Sequence, residues 1–211
     1  MKLDYKKLEK EYYNSKKPTI INVKKMNFIT FDGRGNPGSE NSDFTRGIGL
    51  LYSTAYTLSM SYKSDYKIKD FEQFVVAPLE GYWYQEGIEG YDPTRKDLFV
   101  FKLMIRMPEF ITKEDFIWAI DKISKKKNLD YSEIKYDIIE EGLCVQALHI
   151  GSYDSGFETT KLMHDFIEDN GYQLDFSNLR HHHEIYISDN RKTHVDKLKT
   201  ILRHPIKKKE R

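Results

Sequence analysis

The chain has 211 residues, of which 39% are hydrophobic and 32% charged, and its 34 basic and 33 acidic side chains leave a net charge of +1. That length holds one full-sized domain or two fused small modules, and the near-zero balance lacks the basic excess of a nucleic-acid-binding domain. A single cysteine, Cys144, excludes an internal disulfide and reads as a small core residue. No apolar run reaches the roughly 18 residues of a membrane span, and the amino terminus lacks the apolar region of a signal peptide. The expected location is therefore cytoplasmic.

Aromatic content is the unusual feature: 15 Tyr, 12 Phe and 2 Trp. Tyrosine pairs a flat apolar face with a hydrogen-bonding tip, so a Tyr-rich chain suits a pocket that grips planar molecules, or equally an aromatic core. Residues 1–18 are Lys- and Tyr-rich and read as an N-terminal extension, too short for a helix-turn-helix unit. From Thr19 a β-branched and aromatic run extends through Phe31 and stops at the turn cluster Asp32 to Gly38. A helix fits residues 43–61, where Ile48, Leu51, Tyr52, Ala55 and Leu58 share one face.

Two strands follow, Phe71 to Tyr84 and Leu98 to Arg106, the second alternating Phe99, Phe101, Leu103 and Ile105 against Val100, Lys102, Met104 and Arg106. Residues 113–127 read as an amphipathic helix opened by a capping box of Thr112 and Asp115. A strand from Leu143 to Tyr153 comes next, then a helix over 156–170 with Ser155 and Glu158 as a second capping box and Gly171 at its end. A strand at 180–188, a short helix near 193–200 and a last strand, Ile201 to Ile206, complete the order.

Each half thus reads strand–helix–strand–strand, and the segments Lys102 to Pro108 and Lys199 to Pro205 look alike. The expectation is an α+β fold made by internal duplication, with two antiparallel sheets around a pseudo-two-fold cleft. The first repeat spans about 19–110, a linker helix about 112–128, the second repeat about 131–206, and a basic tail 207–211.

Three segments carry candidate chemistry. In Arg180 to Ser188, strand alternation puts His182, Glu184 and Tyr186 on one face and His181, His183 and Ile185 on the other. Two converging ligands fall short of a metal site. If its face lines an enclosed cleft, Glu184 is desolvated and its pKa raised, which suits a counter-ion for a cation or a general acid or base. In Pro78 to Tyr84, the aromatic platform of Trp83 and Tyr84 beside Gly81 either stacks on a ligand or belongs to the core. The third, His149 to Tyr153, places a tyrosine hydroxyl at a strand end; Ser152 lacks the setting of a nucleophile elbow. The stretch Gly33 to Gly38 lacks phosphate-loop spacing, and neither a cofactor nor a metal is expected.

Together these segments resemble the GyrI-like family of the SOUL/GyrI superfamily, over roughly residues 19–206. The resemblance rests on Phe28 to Pro37, Leu51 to Thr57, Pro78 to Trp83, Ile105 to Pro108, Glu141 to Tyr153, Met163-His164, His182 to Asp189, Arg191 to Thr193 and Lys197 to Arg203. It implies duplicated strand–helix–strand–strand (SHS2) modules of a bacterial effector-binding domain, with a ligand cleft between them. It also implies that Glu184 matches the carboxylate that meets cationic drugs in multidrug-sensing relatives.

Some standalone members are similar to cyclopropanoid hydrolases, which detoxify DNA-alkylating natural products such as yatakemycin by adding water to a strained ring. On that reading Glu184, Tyr153 and Tyr186 are the candidate catalytic residues. Trp83, Tyr84, Tyr52, Tyr56, Met104, His149 and His182 are the candidate ligand-binding residues. The alternative is a non-catalytic drug-sequestering or effector-sensing protein. The expected partner is an aromatic or cationic small molecule, with no direct nucleic-acid or membrane contact, acting on a monomer or weak homodimer.

Overall fold

The computed structural model describes residues 2–210 apart from 89, 91 and 93. Two single-turn helices, α1 (Tyr5–Leu8) and α2 (Lys10–Tyr13), lead into β1 (Thr19–Val23), β2 (Met26–Arg34), α3 (Asp43–Ser59), β3 (Leu79–Gln85) and β4 (Phe99–Met107). After α4 (Lys113–Lys127) come β5 (Ile134–Ile139), β6 (Gly142–Ile150), α5 (Gly156–Asp169), β7 (Tyr172–Leu174), β8 (His182–Tyr186) and β9 (Lys199–Lys208). The fold is α+β, and every strand pairing among the described residues is antiparallel apart from one isolated bridge, Leu3 with Phe74.

The strand order is β1-β6-β9-β8-β3-β4-β2-β5, with β7 added on β9. The first repeat contributes β3-β4-β2 and the second β6-β9-β8, and β3 pairs with β8, so the two expected sheets are continuous across that seam. The outer strands are exchanged. β1, which precedes β2, pairs with β6 of the second half; β5, which precedes β6, pairs with β2 of the first.

Register explains how the sheet curves. Thr19 to Val23 pair with Gln146 to Gly142, and Met26 to Phe31 pair with Ile139 to Ile134 without a slip. β1 with β2, and β5 with β6, are thus two bent strands running side by side, interrupted only at Lys24-Lys25 and Glu140-Glu141. Two intervening residues span about 10 Å at most, so the ends of the strand order are drawn together and the sheet wraps around an inner face.

Helices α3 and α5 cover the outer face, one over each repeat. An added Cβ at Gly47 of α3 would lie 2.4 Å from the Phe31 ring, and Met163 and Ile167 of α5 pack with Val145, Ala147, Leu202 and Ile206. The inner face is filled from the amino terminus. Tyr5, Tyr12 and Tyr13 belong to the main core, Arg106 lies 3.7 Å over the Tyr5 ring, and Gln146 reaches the carbonyl of Glu11. The segment read as an extension is therefore part of the packed structure.

Sequence expectations hold best where the signal is local. The Thr112–Asp115 capping box forms and opens α4 at Lys113 as expected, and Gly171 follows α5 with φ of 77°. The second capping box does not form: Ser155 caps nothing, because its hydroxyl donates to the carbonyl of Ser152 and contacts His149. The expected helix near 193–200 shrinks to the turn Val195–Lys197. Lys207 and Lys208, read as tail, extend β9, and Lys207 pairs with Asp175. No helix among the described residues is long and apolar enough to cross a membrane.

Candidate functional site

Glu184 sits at the middle of β8, opposite Gly81 of β3 and Leu202 of β9. Pairing by register puts His182, Glu184 and Tyr186 on the same face as Trp83, Phe101 and Phe31, which is the face that carries α3 and α5. Because β3 and β8 form the seam between the repeats, Glu184 and Trp83 lie on the floor between the two helices.

Trp83 is anchored by rings on three sides, with Phe44, Phe99 and Phe101 at centroid distances of 5.5, 5.3 and 5.0 Å. Its Nε1–H donates to the Tyr186 hydroxyl at 3.0 Å. Gly81 is required for this: a Cβ there would stand 2.8 Å from Trp83 Nε1. Tyr186 in turn hydrogen-bonds Glu184, and Tyr153 meets the Tyr186 ring edge-on at 5.6 Å. On the first-repeat side, Tyr52 and Tyr56 of α3 stack at 6.2 Å and feel the charge of Arg191 in the turn after β8.

The electrostatics reverse one expectation. Burial does oppose ionisation of Glu184, but hydrogen bonds from His182 and Tyr186, with the charge of His182 adding to them when it is protonated, outweigh it and hold the carboxyl below its ordinary value. Its side chain keeps 18% exposure, enough for a ligand to touch. Burial and the neighbouring Glu184 raise the hydroxyls of Tyr153 and Tyr186, so both remain donors. The site therefore presents an ionised carboxylate beside aromatic rings and the Tyr153 hydroxyl, with the Tyr186 proton spent on the carboxylate itself: a cation counter-charge and a water-orienting acceptor, but a poor general acid.

The structure brings together Glu184, Tyr186, Tyr153, Trp83 and His182, while Tyr52 and Tyr56 stack on each other on α3. It separates three expected ligand contacts. Met104 and Tyr84 lie on the opposite face, since Met104 pairs with Glu80 and Tyr84 alternates with Trp83. Met104 is fully buried, and Tyr84 stacks on His181 at 4.6 Å. His149 shares the outer face but is committed to the start of α5, bonding Thr159 Oγ1 at 3.0 Å and the carbonyl of Ser152 at 2.8 Å.

Two groups of residues escaped sequence reasoning. One is His204 and His164, which continue outward from His182. The other is a charged cluster on the inner face: His183 between Glu80 and Glu141 at 3.0 Å each, with Arg203 on Glu141 at 2.5 Å. The duplication signal could have flagged the latter, because Arg203 and Arg106 occupy equivalent places in the two similar segments and both are 3% exposed.

One ionised carboxylate set among aromatic rings, on the helix-bearing face of an antiparallel α+β sheet, is a candidate site for a small molecule. The sequence matches the family of GyrI-like small molecule binding domains over residues 16–207, and the chain belongs to that family. Two solved structures from Listeria innocua are similar along almost the whole length. One, described as an uncharacterized conserved protein, is 40% identical with a TM-score of 0.92, and one described as a hydrolase is 38% identical with a TM-score of 0.88; each match covers 98% of this chain and 100% of the other. The EcmrR C-terminal domain, 13% identical over 92% of this chain and 98% of its own with a TM-score of 0.56, shares the fold. No protein of curated function matches the sequence.

Proposed function

We propose that the protein binds planar aromatic, preferably cationic, small molecules over Glu184, and that it opens the ring of cyclopropane-bearing DNA-alkylating compounds by adding water. The observation that carries the reading is the Glu184 carboxylate, kept ionised by His182 and Tyr186 and standing beside the linked rings of Trp83, Tyr186 and Tyr153. A flat ligand gains stacking and cation–π contact from those rings and charge complementarity from the carboxylate. The similar Listeria innocua structure described as a hydrolase supports the catalytic part.

In the reaction, a water held by Glu184 attacks a cyclopropane carbon. The new C–O bond forms as the strained C–C bond breaks, and the released electron pair moves through the conjugated ring onto its carbonyl oxygen. Tyr153 donates a hydrogen bond to that oxygen as charge develops, the Tyr186 proton being held by Glu184. The water proton passes to Glu184 and the oxygen takes up a proton, so the sum is one water added. A carboxylate of lowered pKa is a weak base, so its part is mainly to orient the water; the ring strain supplies the electrophile.

The same low basicity favours a second reading, passive sequestration of the drug. Incubating wild type and Glu184→Gln with a cyclopropane-bearing alkylator separates the two. Ring-opened product from wild type alone supports hydrolysis; tight binding without product from either protein leaves only sequestration. Absence of binding by wild type overturns both.

A further inference from the structure

On one side of Glu184, three imidazoles stand in a row. His182 Nε2 lies 3.1 Å from Glu184 Oε1, and His182 Nδ1 lies 2.6 Å from His204 Nε2. His204 Nδ1 lies 2.8 Å from His164 Nε2. The row crosses from β8 to β9 to α5, and both ring nitrogens of His182 and of His204 are used. His204 is buried, with the Phe176 ring against it at 5.0 Å, while His164 is only half-buried.

The geometry points to a proton relay that runs from His164 through His204 to His182 and sets the charge beside Glu184. It rests on the binding role proposed for Glu184 and adds a regulation of that same site. With Glu184 ionised, His182 Nε2–H donates to it. A neutral His182 then accepts at Nδ1 from His204 Nε2–H, and His204 accepts at Nδ1 from His164 Nε2–H, so every donor points toward the carboxylate. When a proton binds His164 Nδ1, the two bridging protons each hop once. His164 is then neutral again, His204 has exchanged its protonated nitrogen from Nε2 to Nδ1, and His182 is an imidazolium donating from both nitrogens. One proton enters, none is lost, and His204 is neutral both before and after the transfer.

The surroundings suit that division of labour. Burial, and then the imidazoles of His182 and His164, push His204 well below its ordinary value, so it is held neutral. Burial also lowers His164, opposed by Asp165 on the same helix, which pairs with Lys161. On the far side of Glu184 stand the hydroxyls of Tyr186 and Tyr153, and His183 acts on it from the inner face. In the loaded form the His182 imidazolium cancels the carboxylate; in the discharged form the partly exposed Glu184 is a net anion. Binding a planar cation and loading the relay therefore compete.

Imidazole nitrogen NMR of the whole protein between about pH 5 and 8, where histidines titrate, tests the relay without a ligand. The expected result is one step in which His182 gains charge while His204 stays neutral and its protonated nitrogen changes from Nε2 to Nδ1. His164→Leu removes the entry point, so His204 keeps Nε2 protonated and the His182 step moves to lower pH. A His204 that keeps one tautomer in wild type, or that becomes charged, overturns the relay. Ethidium, a planar cation, then tests the consequence: its affinity falls as pH drops through the His182 step, and Glu184→Gln abolishes that dependence. If the tautomer exchange occurs and ethidium does not bind, the relay stands and the binding role fails; if ethidium binds with no pH dependence across the step, the competition is refuted.

Discussion

Replacing Arg203 by Met tests the inner charged cluster. Arg203 Nη1 donates to Glu141 at 2.5 Å, Nε to Gln146 Oε1 at 2.9 Å, and Nη2 to the Tyr12 carbonyl at 3.4 Å, all in a site 3% exposed. Burial opposes the Glu141 charge, but His183 and then Arg203 bring the carboxyl from 4.5 down to about 2. At about 1.4 kcal/mol per tenfold change in proton affinity, that depression is worth about 3 kcal/mol, divided between the two partners. Adding about 1 kcal/mol for each neutral hydrogen bond lost, the variant should lose about 3–4 kcal/mol. This falls in the range for breaking a buried pair and corresponds to a melting temperature lower by about 6–15 °C for a chain of this size.

The loss must also depend on pH in one direction. Folding holds Glu141 below its ordinary value, so its contribution is complete above about pH 4.5 and fades as pH falls toward 2. Urea unfolding of wild type and Arg203→Met at pH 7 and pH 3 measures both quantities. A loss below about 1 kcal/mol at pH 7, or an equal loss at the two pH values, refutes the assignment of stability to the Arg203–Glu141 pair.

Other expectations follow from the same geometry. Glu184→Gln should weaken ethidium binding about ten- to a hundredfold, the worth of a charge-assisted contact, while a neutral planar analogue is unaffected; equal effects on both would remove the counter-ion role. Gly81→Ala pushes a Cβ onto Trp83 Nε1, so it should break the Trp83–Tyr186 bond and reduce binding, visible as a changed Trp83 fluorescence in a Trp118→Phe background. Gly47→Ala collides with the fully buried Phe31 and should cost about 1–3 kcal/mol, whereas Gly49→Ala meets open space and should gain up to about 1 kcal/mol; thermal melts that reverse this order contradict the packing described. Burial lowers His183, but Glu141 and Glu80 more than compensate and raise it above its ordinary value. Its contribution is therefore complete below about pH 6.5 and lost as pH rises through the folded value, so His183→Gln should flatten the alkaline decline of stability seen by denaturant titration.

What could be read in the residues was what neighbours in sequence decide. The Thr112–Asp115 box and the stripe of Phe116, Ile120 and Ile123 mark α4 from its own residues, and the same stripe then packs on the core. Strand parity alone placed His182, Glu184 and Tyr186 on one face. Contacts set by register between distant strands were not legible. Trp83 meets Tyr186 across 103 residues, and the bond from His164 to His204 spans 40. The sign of the Glu184 shift was missed for the same reason: parity put His182 on its face, but only the folded geometry shows the bond that outweighs burial. β5 went unread because Ile134 to Ile139 alternates weakly, with only Ile134 fully buried, and becomes a strand by pairing with β2. The amino-terminal tyrosines sit among lysines that mimic a solvated segment, until the curved sheet supplies a cavity for them.

The exchange of outer strands bears on how the chain reaches its native state. Neither half can complete its own sheet, since β1 is satisfied only by β6 and β5 only by β2. The ribbon they form joins Thr19 to Gln146, a loop whose closure entropy is met before most native contacts form. Folding should therefore be a single cooperative event with both halves committed together. A chain severed in the link between α4 and β5 would yield two pieces, each disordered alone, that recover the sheet only on mixing.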